Sequence, residues 1–148
     1  MDKLYKIAEM HKLHIKYTNL LDKTNGRLYG LYIYSENGCG TLLDKSLLKP
    51  ENYRLHRCVL AEEAGHHIKT TKSNVLRMSG SCRLEVLKKP LTIIAQDEIK
   101  ALKWACSFLI PNVEFYRALS EGYTDVYNLS DIFNVTEWMV YRKFSFMK

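Results

Sequence analysis

Cys58-Val59-Leu60-Ala61-Glu62-Glu63-Ala64-Gly65-His66-His67 is the stretch on which the reading of this chain turns. Residues three or four apart on an α-helix share a face. Leu55, Val59, Glu62 and His66 therefore form one stripe, apolar in its first half and carrying a carboxylate and an imidazole in its second. Core hydrophobes that give way to two ligand-capable groups one turn apart present a metal site at the edge of a core. Glu63 lies about 100° further round the helix, close enough to act on a water held there. Pro50-Glu51-Asn52 precedes the stretch, with Glu51 or Asn52 near the N-cap, and the helix is predicted over 53–69.

A second carboxylate leads the next apolar stripe. In Asp97-Glu98-Ile99-Lys100-Ala101-Leu102-Lys103-Trp104-Ala105, the residues Glu98, Ala101, Ala105 and Leu109 share a face. Gln96-Asp97-Glu98 is read as the opening of this helix, which runs to about Ile110 and is stopped by Pro111. Glu98 then sits at the helix start, where its charge suits the dipole. The small Ala101 and Ala105 let a neighbouring helix come close. If the two stripes face each other, Glu62, His66 and Glu98 converge and leave a fourth tetrahedral position open, as catalytic zinc requires and structural zinc does not. Two residues stand in reserve. His67, off the stripe, pairs with Glu63 at i, i+4 in a competing frame, and Asp97, read first as a helix cap, replaces Glu98 if Glu98 is not a ligand.

The pentapeptide Glu62-Glu63-Ala64-Gly65-His66 aligns with H-E-x-x-H, the zinc-peptidase helix in which two histidines bind the metal and the glutamate is general base. Glutamate replaces the first histidine here. Zinc accepts carboxylate oxygen at distances close to those of imidazole nitrogen, so the position keeps a ligand. The added negative charge weakens the metal's power to acidify water.

Outward from these helices the pattern is mixed. Residues 3–14 read as an amphipathic helix, followed by Ile15-Lys16-Tyr17 as an extended exit. Asn25-Gly26 is a turn signal. Leu28 to Tyr34 is aromatic and β-branched, Asn37-Gly38-Cys39-Gly40 breaks it, and Thr41 to Asp44 resumes an extended pattern, so a short antiparallel β-meander is expected. The region 70–95 is polar at first, and Ser79-Gly80-Ser81 reads as a mobile stretch. Helices are expected over 112–121, ended by Gly122, and over 128–144 in one or two pieces. The fold class is α+β: the meander packs on the metal-site helix and several further helices. One domain is expected over 1–148, with 1–50 the N-terminal helix and meander, 51–111 the metal-site helices and 112–148 the C-terminal helices.

Composition narrows the function classes. Hydrophobic residues make up 47% and charged residues 26%, an ordinary globular mix rather than a disordered one. No apolar run approaches the roughly 18–20 residues of a membrane helix, and Met1 to Lys6 lacks the apolar stretch of a secretory signal. A soluble, cytoplasmic protein with no membrane partner is expected. Cys39, Cys58, Cys82 and Cys106 include no CxxC pair, which excludes a cysteine zinc ribbon. Free thiols are expected, Cys58 and Cys106 on apolar helix faces. The formal charge of +6 permits an acidic partner or nucleic acid without selecting either. His11, His14 and His56 lack partners at metal spacing and read as structural or exposed, and Tyr29, Tyr32 and Tyr34 as sheet packing.

Three segments carry a family resemblance. Leu60-Ala61-Glu62-Glu63-Ala64-Gly65-His66-His67 resembles the "LAEELGHH" variant of the ImmA/IrrE metallopeptidases, found in phages and mobile elements of Gram-positive bacteria. Glu98-x-x-Ala101-x-x-Trp104-Ala105-x-x-x-Leu109-Ile110-Pro111 is similar to that family's "E-x-x-A-x-x-F/W-A-x-x-L-L-x-P" segment. Leu129-Ser130-Asp131-Ile132-Phe133-Asn134-Val135-Thr136 resembles its closing helices. The likeness is strongest from about Arg57 to Arg142. It implies a zincin-like, minimal gluzincin core that cleaves or destabilises DNA-bound repressors of mobile elements. By position, His66 matches the second motif histidine, Glu63 the catalytic glutamate and Glu98 the third metal ligand, while Glu62 stands at the first histidine.

The expected function is thus a zinc-dependent endopeptidase acting on a regulatory protein, a helix-turn-helix repressor of a phage or mobile element. One alternative is an antirepressor that grips a repressor without hydrolysis. Another is a DNA-binding regulator, because 124–142 resembles the first two helices of a helix-turn-helix. A recognition helix carries Arg, Lys, Asn or Gln along its length. Here Thr136-Glu137-Trp138-Met139-Val140-Tyr141-Arg142-Lys143 is acidic near its start and basic only at its end, so a packing role is favoured.

Overall fold

The computed structural model describes residues 1–35, 38–69, 76–78, 84–86 and 91–147. Helix α1 (Asp2–Met10) buries Leu4 and Ala8 and turns its lysines outward. It stops four residues short of the expected 14. Lys12 takes φ 56°, and the amides of Lys12 and Leu13 close onto the carbonyls of Glu9 (3.0 Å) and Ala8 (2.8 Å). This Schellman ending turns Leu13 into the core beside Ala8, and strand β1 (His14–Thr18) begins at once. Helix α2 (Leu20–Lys23) follows, which the sequence reading did not anticipate. Asn25 (φ 52°) and Gly26 (φ 75°) adopt the left-handed turn expected of Asn-Gly, but they end this helix rather than join two strands.

Strands β2 (Gly30–Ser35) and β3 (Gly38–Asp44) pair antiparallel, Tyr32 opposite Thr41. The segment read as an extended exit, Ile15 to Tyr17, joins the same sheet, which is therefore more than an antiparallel meander. β1 pairs parallel to β3, Ile15 opposite Thr41, so the order is β1-β3-β2 and the sheet is mixed. A parallel pair needs a crossover rather than a tight turn. The α2 connection carries the chain past the position of β3 to the far edge, and β3 then inserts between. Asp44 secures this arrangement by accepting from the amides of Leu21 and Ser46, both at 2.8 Å.

Two 3-10 turns, Lys45–Leu48 and Pro50–Asn52, lead into helix α3 (Tyr53–Lys69), whose limits are those expected. Neither Glu51 nor Asn52 caps it; Pro50–Asn52 is already helical, and Asn52 donates to the Ser46 carbonyl at 2.8 Å. Strands β4 (Leu76–Met78) and β5 (Leu84–Val86) pair antiparallel inside the region read only as polar. The expectation for Ser79 to Ser81, like Cys82, lies outside the described residues. Helix α4 (Leu91–Leu109) opens five residues before the expected 96.

Helices α5 (Asn112–Ser120), α6 (Val126–Phe133) and α7 (Glu137–Ser145) complete the chain. Gly122 takes φ 93° after α5. Asp125 caps α6 through the Asn128 amide at 2.8 Å, and Asn134 turns left-handed (φ 52°) between α6 and α7. The core joins α3 and α4 to this C-terminal trio through Leu60, Ala105, Leu109, Ile110, Phe115, Leu129, Val135 and Met139. Cys39, Cys58 and Cys106 are free thiols. The Thr136 amide and hydroxyl donate to Cys58 Sγ at 3.4 and 3.6 Å, and Cys106 Sγ lies 3.3 Å from the Met139 sulfur. Lys143 is 2% exposed and donates to Asn112, so Arg142, over the Trp138 ring at 5.1 Å, is the cation that α7 shows to solvent among the described residues. Among those residues no helix is long and apolar enough to cross a membrane. The architecture is α+β.

Candidate metal centre

The site begins with a close helix crossing. A Cβ on Gly65 would lie 2.5 Å from the Ala101 carbonyl oxygen, so α3 and α4 touch backbone to backbone at this point. Glycine at 65 and alanine at 101 permit it, and the small face read on α4 is used as expected. The crossing sets His66 beside Glu98, one turn before Ala101. Ligand atoms of Glu62, His66 and Glu98 all lie within 4.8 Å of one another, and His66 Nε2 is 3.3 Å from Glu98 Oε2. The three residues chosen from two helical stripes are thus brought together and could hold a metal ion. The His66 side chain is 15% exposed and that of Glu98 49%, so the α4 side is open to solvent.

The structure buries Glu63, at 7% exposure. Its carboxylate lies on strand β2, where a Cβ at Gly30 would come within 2.6 Å of Oε1 and 2.7 Å of a Val59 methyl. Only glycine at 30 leaves that space. Among the described residues Oε2 is buried with no hydrogen-bond partner. Such an oxygen costs on the order of 1–3 kcal/mol unless it is protonated or meets a cation or water.

Electrostatics confirm the crowding of negative charge. Burial pushes the Glu63 carboxyl up to about 8, with Glu62 and Glu98 adding to the rise and the His66 charge and Thr41 hydroxyl opposing it. Burial likewise raises Glu62; His66 and Arg142 oppose the rise and Glu98 adds to it. Burial by itself would lower His66, but the hydrogen bond to Glu98 and the charges of Glu63, Glu98 and Glu62 prevail and raise it. Glu62, His66 and Glu98 form a donor set of two carboxylates and one imidazole, and with Glu63 beside it a divalent cation would relieve the crowded negative charge.

The reserve candidates go elsewhere. His67 has its Nδ1 2.9 Å from the Tyr32 hydroxyl and its Nε2 2.7 Å from the His11 carbonyl, and it is no part of the converging trio. Asp97 is 2% exposed, lies 3.5 Å from Lys100 Nζ and sits inside α4. It is not a cap, and Glu98 is not at a helix start. The chain is already helical from Leu91, ahead of the start read at Gln96. Eight residues into α4, Glu98 lies beyond the turn where the helix dipole acts; its place follows from the crossing instead.

His56, at the other end of α3, is structural as expected. It is 6% exposed and 2.8 Å from the Tyr17 hydroxyl, which meets Tyr5 at 2.7 Å. The close approaches at Gly30 and Gly65 are not anticipated from the sequence, and Tyr32, read there as sheet packing, also faces His66 and His67. A glycine inside an aromatic strand, and one facing a small-residue stripe, are the signals that would have found the two glycines.

No protein-family model, curated protein or solved structure matches this chain.

Proposed function

We propose that this chain is a zinc-dependent endopeptidase of the ImmA/IrrE kind, acting on a repressor or other regulatory protein of a phage or mobile element. The observation that carries the reading is the convergence of Glu62, His66 and Glu98 within 4.8 Å, with the buried Glu63 on the same turn of α3. Zinc suits a mixed nitrogen and carboxylate set with one side open, and when bound it supplies Lewis acidity.

The chain's own groups do the rest. Glu62, His66 and Glu98 would hold the ion, and the exposed side at Glu98 admits a peptide. Glu63, enclosed by Gly30 and Val59, has a carboxyl whose affinity for protons is raised by burial. It takes a proton from the attacking water and passes it to the leaving amine. The same burial keeps its position fixed, which proton transfer over hydrogen-bond distance requires.

A second reading has one observation in its favour. Two carboxylates among the three ligands make the ion less electrophilic than two histidines would, which suits a protein that grips a repressor without cleaving it. The test is zinc content and peptide hydrolysis on protein purified without chelators. About one zinc per chain is expected. Glu63→Gln should keep the metal while hydrolysis falls by roughly 10²-fold or more. Zinc with no hydrolysis of any repressor would favour the gripping protein; no zinc after zinc is supplied rejects the peptidase.

A further inference from the structure

Strand β2 lies against α3, and Gly30 and Tyr32, two residues apart, point to the same side of the strand. On that side Gly30 meets Val59 and Glu63, and Tyr32 meets His66 and His67 about one turn further along. The Tyr32 ring is almost parallel to the His66 imidazole, at 11°, with centroids 6.4 Å apart in an offset stack. Its hydroxyl is 2.9 Å from His67 Nδ1, and His67 Nε2 is 2.7 Å from the His11 carbonyl. A carbonyl only accepts, so Nε2 carries a proton. In a neutral imidazole Nδ1 is then the acceptor, and the tyrosine hydroxyl donates to it. The chain Tyr32 to His67 to His11 thus ends on backbone, at the C-cap of α1 that the Schellman turn closes.

We propose that Tyr32, clamped by His67, is a positioning residue for His66: it fixes the plane of the imidazole and so sets metal affinity without touching the metal. The inference rests on the metal-site reading above. The torsion that turns an imidazole about its Cβ–Cγ bond is soft, with broad wells, so a ligand nitrogen needs something outside the coordination set to hold it. Partners of that kind are worth about 10- to 100-fold in metal affinity. A ring lying nearly parallel beside His66, itself tied at its far end, meets that need. It also accounts for a second histidine beside the first, because His67 holds Tyr32 rather than the ion.

The test is competition for zinc against a chromophoric chelator, together with the visible spectrum of the cobalt(II)-loaded protein and its thermal midpoint. Wild type is compared with Tyr32→Leu, Tyr32→Phe, His67→Ala and the double variant Tyr32→Phe/His67→Ala. Tyr32→Leu should weaken zinc binding by roughly 10-fold or more and alter the cobalt bands. Tyr32→Phe keeps the ring and loses the hydroxyl's bonds to His67 and Cys39, so it should cost less. His67→Ala removes the clamp while the Cys39 bond stays, and the double variant should be no worse than Tyr32→Phe, because the His67 bond is already lost there. Should Tyr32→Leu unfold, the Phe, Ala and double variants still decide. Unchanged zinc affinity and cobalt bands in the Tyr32 variants, or additive losses in the double variant, overturn this inference and leave the metal site standing. His67→Ala emptying the site would make His67 a ligand and overturn it too. A wild type that takes up no zinc overturns both readings.

Discussion

Helix α3 carries a histidine near each end, ten residues apart, and the two are opposites. His56 is closed in by tyrosines: the Tyr17 hydroxyl at 2.8 Å and the edges of the Tyr5 and Tyr17 rings. Burial and then the charge of the N-terminus hold its pKa below the usual value, so it stays neutral. His66 is also largely enclosed, yet Glu98 at 3.3 Å and the carboxyls of Glu62 and Glu63 raise its pKa against the effect of burial. Burial alone therefore lowers an imidazole's affinity for protons. Anionic neighbours reverse that at His66, and one of them arrives on a different helix.

The comparison is tested most severely by zinc binding. His66→Ala should lose more than roughly 100-fold in zinc affinity, since removing a ligand exceeds the cost of removing an outer partner. His56→Ala should stay within about twofold of wild type, because distant sites act independently. Calorimetric or chelator-competition titration of both variants reads this directly. Equal losses would mean that His66 matters through folding rather than through coordination.

A smaller effect should follow from the crossing that makes the two ends differ. Gly65→Ala places a methyl against the Ala101 carbonyl, which is backbone and cannot swing aside. Unfolding in urea should show a loss of roughly 1–3 kcal/mol, with weaker zinc binding because Glu98 is moved away from His66. His56→Gln also removes a buried contact but should leave zinc binding intact. A Gly65→Ala protein as stable as wild type would show that the helices do not touch there.

The smallest effect is on pH. The folded-state pKa of His56 lies below its unfolded value, so the native state binds fewer protons than the unfolded one. Stability contributed by neutral His56 is full above the unfolded pKa, near 6.5, and is lost as pH falls from there toward the folded value. Urea midpoints of zinc-free wild type should drop between pH 7 and pH 5.5 by more than those of His56→Gln. Parallel curves would remove His56 from the acid sensitivity of the fold.

Much of this was legible in the chain because it depends on neighbours in sequence. The limits of α3 follow from Pro50 and helical spacing, and the ends of α5 from Pro111 and Gly122. Glu62 and His66 share a face because a helix repeats every 3.6 residues or so. Glu98 was found by the same rule on α4, for its apolar stripe rather than for the dipole argument first attached to it. The misses share a cause as well. The end of α1 is set by a left-handed lysine, which no residue preference announces. The parallel pairing of β1 with β3 joins segments more than twenty residues apart, where local pattern is silent.

The sequence by itself determined which residues could serve as ligands, which helices carry them and that the chain is α+β, since periodicity and turn residues act locally. Only the tertiary structure decided that Glu62, His66 and Glu98 meet, that Glu63 is buried over Gly30, and that His67 serves Tyr32. Those outcomes depend on how closely two backbones approach, at Gly65 against Ala101 and at Gly30 beneath Glu63. Such an approach is a property of surfaces from distant segments fitted together, and no single segment encodes it.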